Sequence, residues 1–381
     1  AAQMGRLALG LDRHRDLAEA WQKGEAGVDP NDLSLRRLFT ERAARLYDDP
    51  IGDVAKAKAA WRHLLDLDSM NLETARPAAE ALARIHQGEE SWHDLVAVLR
   101  LQAGWAESDP AGSNDGKDKK HFLRQVATVQ EDLVQDYGAA VATHREILDL
   151  DAEDGQALDG LERLHDAQEQ WPELIEVLRR RLEQSQDPAA RRGHLWRIAE
   201  LTEKKLTPAE GPWSDAIVAY AALLDEQPED VPALDTLARL YARAERHADL
   251  LEILERRLAI AASAGTMEER QSLREKIAAL HAGPLAQAAS ALERWREMLQ
   301  EDPDNEPARK GLEGLLTDED LRLTAADVLE PVYEGRGETD RVIALCELWA
   351  EHASDLHERV SRLRTIASLK ERGGEAKAAF E

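Results

Sequence analysis

His14, Arg15, Asp16 and Leu17 stand in the order of a phosphotransfer catalytic loop, in which the Asp would orient an attacking hydroxyl. Such a loop needs an Asn four residues after the Leu to hold a metal. That position is Trp21, and neither a glycine-rich strand nor an Asp-Phe-Gly triplet accompanies it. Gly335 and Gly337 begin a Gly-x-Gly pair but lack the third Gly of a phosphate cradle, so they read as the end of a helix. Asp115 and Gly116 sit as in a calcium loop, yet the first ligand position is Ala111 and the twelfth is Phe122, so no bidentate Glu closes it. The 12 His residues are scattered, with no His-Glu-x-x-His pair to put two imidazoles on one helical face. The single cysteine, Cys346, excludes an internal disulfide or a multi-thiolate metal site and fits a small buried hydrophobe. No nucleophile, base and orienter come together. The sequence therefore points to no enzyme and to no cofactor.

The elements that carry these residues are better defined than any chemistry. "QWPELIEVLRRRLE" at Trp171 is matched by "SWHDLVAVLRLQA" at Trp92, "RHADLLEILERRL" at His247 and "RHRDLAEAWQKGE" at His14, with a weaker copy near Thr339. The successive intervals from His14 are 78, 79 and 76 residues, a structural period. Repeat units are expected at about 14–91, 92–170, 171–246, 247–338 and 339–381, in a single array over 1–381. Each unit reads as four helices. The first carries Leu174, Val177, Leu178 and Leu182 on one stripe, and the second a triplet such as Val126, Ala127, Val129 or Ile277, Ala278, Leu280. The third carries Ala216, Tyr220, Leu223 and Pro228, a spacing that returns as Ala57, Trp61, Leu64; Ala140, His144, Ile147; and Ala291, Trp295, Met298, Pro303. The aromatic slot in it is a packing position. The fourth carries Leu237, Ala238, Leu240 and Tyr241, echoed by Leu82, Ala83, Ile85 and His86 and by Leu161, Leu164 and His165. If the ring of Trp171 is core, its loss should cost about 3–5 kcal/mol.

"DEQPEDVPA" and "QEDPDNEPA" place Pro and Asp just ahead of the fourth helix, a stop followed by an N-cap. "ESDPAGSNDGKDKK", Glu107 to Lys120, has no apolar periodicity and is expected as a surface loop. "LTPAEGPWSD" is a shorter insertion, and "LRLTAADVLEPVYEGRGE" adds an extra helix in which Pro331 should produce a kink or break. The register after Thr317 is the least defined part of the pattern.

Together these spacings resemble the tetratricopeptide repeat: Leu237, Ala238 and Tyr241 match its first helix, and Ala216, Tyr220, Leu223 and Pro228 the second helix of the preceding pair. Half-a-tetratricopeptide and Sel1-like repeats share the pattern. The resemblance implies an all-α, right-handed α-solenoid of stacked antiparallel helix pairs, and a protein-interaction scaffold or adaptor rather than a catalyst. It also implies a concave side lined by each pair's first helix, on which Arg124, Arg163, Trp196, Arg239, Arg243 and Lys310 fall as a candidate basic peptide-binding groove. An acidic or C-terminal peptide segment would suit it through charge-assisted hydrogen bonds. The bland alternative pairs these cations with nearby acids, Arg243 with Glu245 or Glu252 for example.

Lys plus Arg number 49 against 75 Asp plus Glu, a net charge of −26 that repels phosphate backbones and anionic membranes. That disfavours the RNA-binding helical repeats. No run approaches the ~18 apolar residues of a membrane span, and no leader opens the chain, so cytoplasmic residence is the default expectation. "AAQMGRLALG" begins in mid-pattern, as an excised fragment would, and the chain then also fits a helical regulatory arm of a larger enzyme. Richness in Ala, Arg and Leu points to a GC-rich bacterial coding sequence.

Overall fold

The computed structural model describes residues 13–108, 119–208, 210–352 and 355–372, and among these no residue is in a strand. The repeated phrase opens a helix at every copy. The first copy begins α1 (His14–Ala26), α2 (Leu33–Asp48), α3 (Val54–Leu67) and α4 (Leu72–Gly88). The second begins α5 (Trp92–Ser108), α6 (Lys119–Thr128), α7 (Tyr137–Leu150) and α8 (Gly155–Ala167). The third begins α9 (Trp171–Gln184), α10 (Pro188–Leu201), α11 (Ser214–Glu226) and α12 (Val231–Arg243). The fourth begins α13 (His247–Ala264), α14 (Met267–Ala282), α15 (Ala288–Glu301) and α16 (Glu306–Leu315), followed by the extra helix α17 (Arg322–Arg336). The last begins α18 (Thr339–His352) and α19 (Leu356–Arg372). The helices group into two compact units, Ala1–Gln184 and Ser185–Glu381. Within each, every helix packs on its sequence neighbour, the pattern of an α-solenoid built from antiparallel pairs.

The third-helix spacing is what locks each pair. Ala57, Leu64, Ala140, Ile147, Ala216, Leu223 and Ala291 are wholly enclosed, and Trp61, His144, Tyr220 and Trp295 between them are at most 9% exposed. The small residue lets α3, α7, α11 or α15 come close to its neighbour while the ring fills the space one turn on. The fourth helix meets that ring. A Cβ placed on Gly160 would lie far inside contact distance of the His144 ring, and one on Gly311 would do the same to Trp295.

Helix ends are fixed by local hydrogen bonds. Asp154, Asp230 and Asn305 cap α8, α12 and α16 by accepting from the backbone N–H groups of Ala157, Ala233 and Ala308, as the Pro-and-Asp turns require. After the fourth helix the chain reverses through a left-handed residue: Glu90, Glu169 and Glu245 have φ of 56°, 55° and 54°. In each turn the following N–H reaches back to the helix, Ser91 to His86, Gln170 to His165 and Arg246 to Tyr241, each at 2.9 Å. Before the last phrase the left-handed place is taken by Gly337, φ 70°, so the Gly-x-Gly pair ends α17.

Three expectations need correction or limits. Pro331 does not break α17, which runs unbroken from Arg322 to Arg336. Both Pro331 and Asp327, whose carbonyl the proline leaves without an N–H, lie on the exposed side, where water can satisfy the oxygen. Trp171 is half-buried and not core, because it occupies the first position of α9, at the rim, while Leu174, Ile175, Val177 and Leu178 fill the interior. The insertion from Glu107 to Lys120 falls mostly on 109–118, outside the described residues, as do Ala111, Asp115 and Gly116. α6 and α10 each continue as a π-helical turn, Val129–Val134 and Thr202–Leu206, which absorbs extra residues before the next helix.

Candidate ligand-binding grooves

Two grooves open at repeat-equivalent places. One, of about 830 Å³, lies in the first unit between α4, α5 and α6, and the other, of about 780 Å³, lies in the second unit between α12, α13 and α14. Their linings correspond position by position: Ala83 to Ala238, Arg84 to Arg239, Leu95 to Leu250, Leu99 to Leu254, Phe122 to Leu273 and Val129 to Leu280. The reason lies in the repeat. Leu95 and Leu250 sit three residues into the repeated phrase, and Ala83 and Ala238 are the small residues of the fourth helix. What changes is the polar rim, where Gln87, Gln102 and Gln125 become Ala242, Arg257 and Lys276.

An arginine on the fourth helix borders each groove and is held from behind. The Arg239 guanidinium donates to Glu203 at 2.6 Å, and Tyr220 donates its hydroxyl to the other oxygen of Glu203 at 3.0 Å. Burial first, and that bond next, push the Tyr220 phenol up from its ordinary value. Arg84 donates to Asp48, which also accepts the indole N–H of Trp61 at 3.3 Å. Arg163 likewise pairs with Glu131. The acid side chains are 10–16% exposed and the three arginines 49–65%, so the acids are structural while the guanidinium edges face solvent. Arg84 is the member that sequence reasoning missed. It stands two residues after Leu82, as Arg163 and Arg239 stand after Leu161 and Leu237.

The six candidate groove residues are distributed as follows. Arg124 borders the first-unit groove and donates to the α8 N-cap Asp154 at 2.5 Å; Arg239 borders the second-unit groove. Arg163 lies on α8, outside both. Trp196, on α10, packs edge-on against Tyr220 with ring centroids 5.5 Å apart. Arg243 lies 5.5 Å over the Trp213 ring rather than against Glu245 or Glu252, because its planar guanidinium stacks on the indole that precedes α11. Lys310 pairs with Glu306 one turn back on α16, at 2.7 Å. The cations are therefore matched locally, and in each unit one of the six reaches a groove.

Buried histidines sit beneath this surface. His165 and His281 bond Gln170 and Gln287 through Nδ1 at 2.7 and 2.8 Å. At the position equivalent to Gln170, His86 has Ser91, which is too short to reach. Neither ring nitrogen of His86 has a hydrogen-bond partner among the described residues, and the Asp94 carboxylate is 3.8 Å away. Burial lowers the pKa values of His86 and His144 below the ordinary imidazole value. The unfolded chain then binds more protons than the folded one as pH falls from about 6.5, so stability declines with acidification. Thermal melts at neutral pH and at about pH 5.5 should show a loss of stability that shrinks in His86→Leu. An equal loss in both proteins would assign the acid sensitivity elsewhere.

No group of three or more His, Cys, Asp or Glu among the described residues is placed to hold a metal ion. Cys346 is fully enclosed, and burial first pushes its thiol up, against nucleophilic use. Among the described residues no helix is long and apolar enough to cross a membrane.

Enclosed aromatic slots, small residues facing them and capped turns define the class, a helical-repeat protein of tetratricopeptide-like pairs. No family model and no curated protein matches the chain. Among solved structures it is similar to Naa15/Naa10 bound to HypK-THB (9% identity, TM-score 0.35), covering 94% of this chain. The chain spans about half, 55%, of that structure's matched chain. It is similar also to the C-terminal part of a TPR repeat-containing protein from Cytophaga hutchinsonii (16% identity, TM-score 0.28, covering 71% of this chain and 99% of that one). The third is the P58(IPK) TPR domain (15% identity, TM-score 0.26, 98% of each chain). The fold rests on the packing described above and not on these superpositions.

Proposed function

We propose that the chain is a non-catalytic scaffold that docks protein partners as peptide segments in its grooves. The recurrence of one groove lining at repeat-equivalent positions carries this reading. The repeat itself places these residues at equivalent positions, so each unit offers the same apolar lining beside exposed polar side chains. Each groove offers an apolar floor with a few polar groups at its edge, the composition of a peptide site. The six cationic and aromatic candidates named from the sequence enter through Arg124 and Arg239, the two that border a groove.

Gln87 and Ala242 are equivalent, exposed and placed on the groove-lining faces of α4 and α12. Tryptophan at both, Gln87→Trp with Ala242→Trp, would fill the grooves without entering the core. Random dodecapeptides displayed on phage and selected on the intact chain should yield binders that the doubly plugged variant does not retain, with its melting temperature unchanged. Binders held equally by both proteins would move the docking surface away from the grooves.

A further inference from the structure

We propose that the groove of α4, α5 and α6 takes a peptide segment bearing an arginine, and that Glu80 and Gln102 together receive its guanidinium. The inference rests on the groove-docking reading above and assigns the chemistry of the first-unit groove.

The sister copies of the repeat show what this place holds elsewhere. Seven residues after Leu95, Leu174 and Leu250 stand Gln102, Arg181 and Arg257, and two residues before Leu82, Leu161 and Leu237 stand Glu80, Asp159 and Asp235. Arg181 bonds Asp159, and Arg257 bonds Asp235 at 3.1 Å, so an arginine at the one position is fastened to an acid at the other. Between α4 and α5 the acid remains, but the arginine is a glutamine. Gln102 is 7% exposed and lines the groove. Among the described residues neither Gln102 nor Glu80 makes a hydrogen bond or an ion pair. A buried amide with no partner, beside an uncommitted carboxylate where the sister copies keep a guanidinium, calls for a guanidinium from outside. The planar fork of arginine can donate to the carboxylate and to the amide oxygen at once, which the point charge of an ammonium does less well.

The cations that share this lining are already matched. Arg84 is held by Asp48 and Arg124 by Asp154, and no ion pair among the described residues joins Glu80 to Arg84 or Arg76, one turn to either side. Glu80 is therefore the charge left over, and the net −26 of the chain favours the approach of a cationic segment. Leu95, Leu99, Phe122 and Val129 offer an apolar floor to the arginine stem and its neighbours. The second-unit groove is an internal comparison. There Arg257 fills the same place from within, held by Asp235 and Glu269, and gives that groove no need of a ligand's arginine.

The test uses the same displayed dodecapeptides, selected in parallel on the intact chain, Glu80→Gln and Gln102→Arg. Peptides that Gln87→Trp excludes should carry an Arg within a turn of Leu, Ile, Phe or Met, and those that Ala242→Trp excludes should not be enriched in Arg. A synthetic fluorescein-labelled consensus peptide should bind the intact chain about tenfold more weakly by anisotropy when its Arg is replaced by citrulline, an uncharged urea of the same shape. On Glu80→Gln the same replacement should change little, because the carboxylate it answers is gone. Gln102→Arg supplies the arginine from within, so the melting temperature should rise while the arginine peptides are lost. Arginine enrichment that persists on either variant, equal enrichment at both grooves, an equal citrulline loss on the intact chain and on Glu80→Gln, or groove binders without arginine would overturn the assignment and leave groove docking standing. A selection that plugging does not change would overturn both.

Discussion

Trp61→Ala is expected to lower the unfolding free energy by about 3–5 kcal/mol, whereas Trp171→Ala should cost about 1 kcal/mol. The two rings differ in what surrounds them. The Trp61 side chain is 3% exposed, in one cluster with Tyr47, Ala57, Leu64 and Leu82, and its indole N–H donates to Asp48 at 3.3 Å. Removing it leaves a cavity that α3 and α4 cannot close, because Ala57, Ala75, Ala78 and Ala79 are already wholly enclosed and the backbones have little room to approach further. Asp48 also loses one of its two donors and keeps only Arg84. Trp171 is half-buried at the start of α9, so alanine there removes contact on one side of the ring and leaves no enclosed void. Urea titrations of both variants would check the order. Equal midpoints, or a larger loss at Trp171, would mean that the phrase-opening aromatic carries the core and that the slot does not.

That contrast shows what was legible in the sequence. Position within a period was readable: Ala57, Trp61 and Leu64, and their equivalents at Ala140, Ala216 and Ala291, are buried because spacing of four and three puts them on one helical face. Conspicuousness was not a guide. Trp171 stands out as a large residue heading a repeated phrase, yet the first residue of a helix has no preceding turn of its own helix beside it and lies at the rim of the stack. The left-handed turns at Glu90, Glu169 and Glu245 were illegible because Gly or Asn is the usual signal for that conformation. Three Glu at the same place in three repeats would have been visible only by aligning the copies there.

Of the side chains mapped from each pair's first helix, Arg124 and Arg239 border a groove, whereas Arg163, Arg243 and Lys310 border neither. Sequence position gives a cation's face and not its partner. Glu203 and Glu131 sit 36 and 32 residues from the arginines they hold, on the π-helical turns that no periodicity predicts.

Gly311→Ala is expected to cost about 1–3 kcal/mol although alanine is the better helix former. In an open helix the substitution would stabilise by up to about 1 kcal/mol, so the sign alone is diagnostic. The new methyl would enter the Trp295 ring, and that ring cannot swing aside, because Ala278, Ala291, Met298 and Leu312 are buried in the same cluster. Relief must come by moving α16 away from α15, which loosens the contact of α16 with α17 as well. Trp295→Leu should then be less harmful on the alanine background than on the natural one, since the smaller side chain leaves room for the methyl. The same cycle at Gly160 and His144 should behave alike, while Ala81 and Thr236 already occupy the equivalent fourth-helix positions opposite Trp61 and Tyr220. The unfolding free energies of the two single variants and the double one decide the matter. Additive costs, or a gain in stability from Gly311→Ala, would show that glycine at this position is not required by the ring and that the close approach of α15 to α16 has another cause.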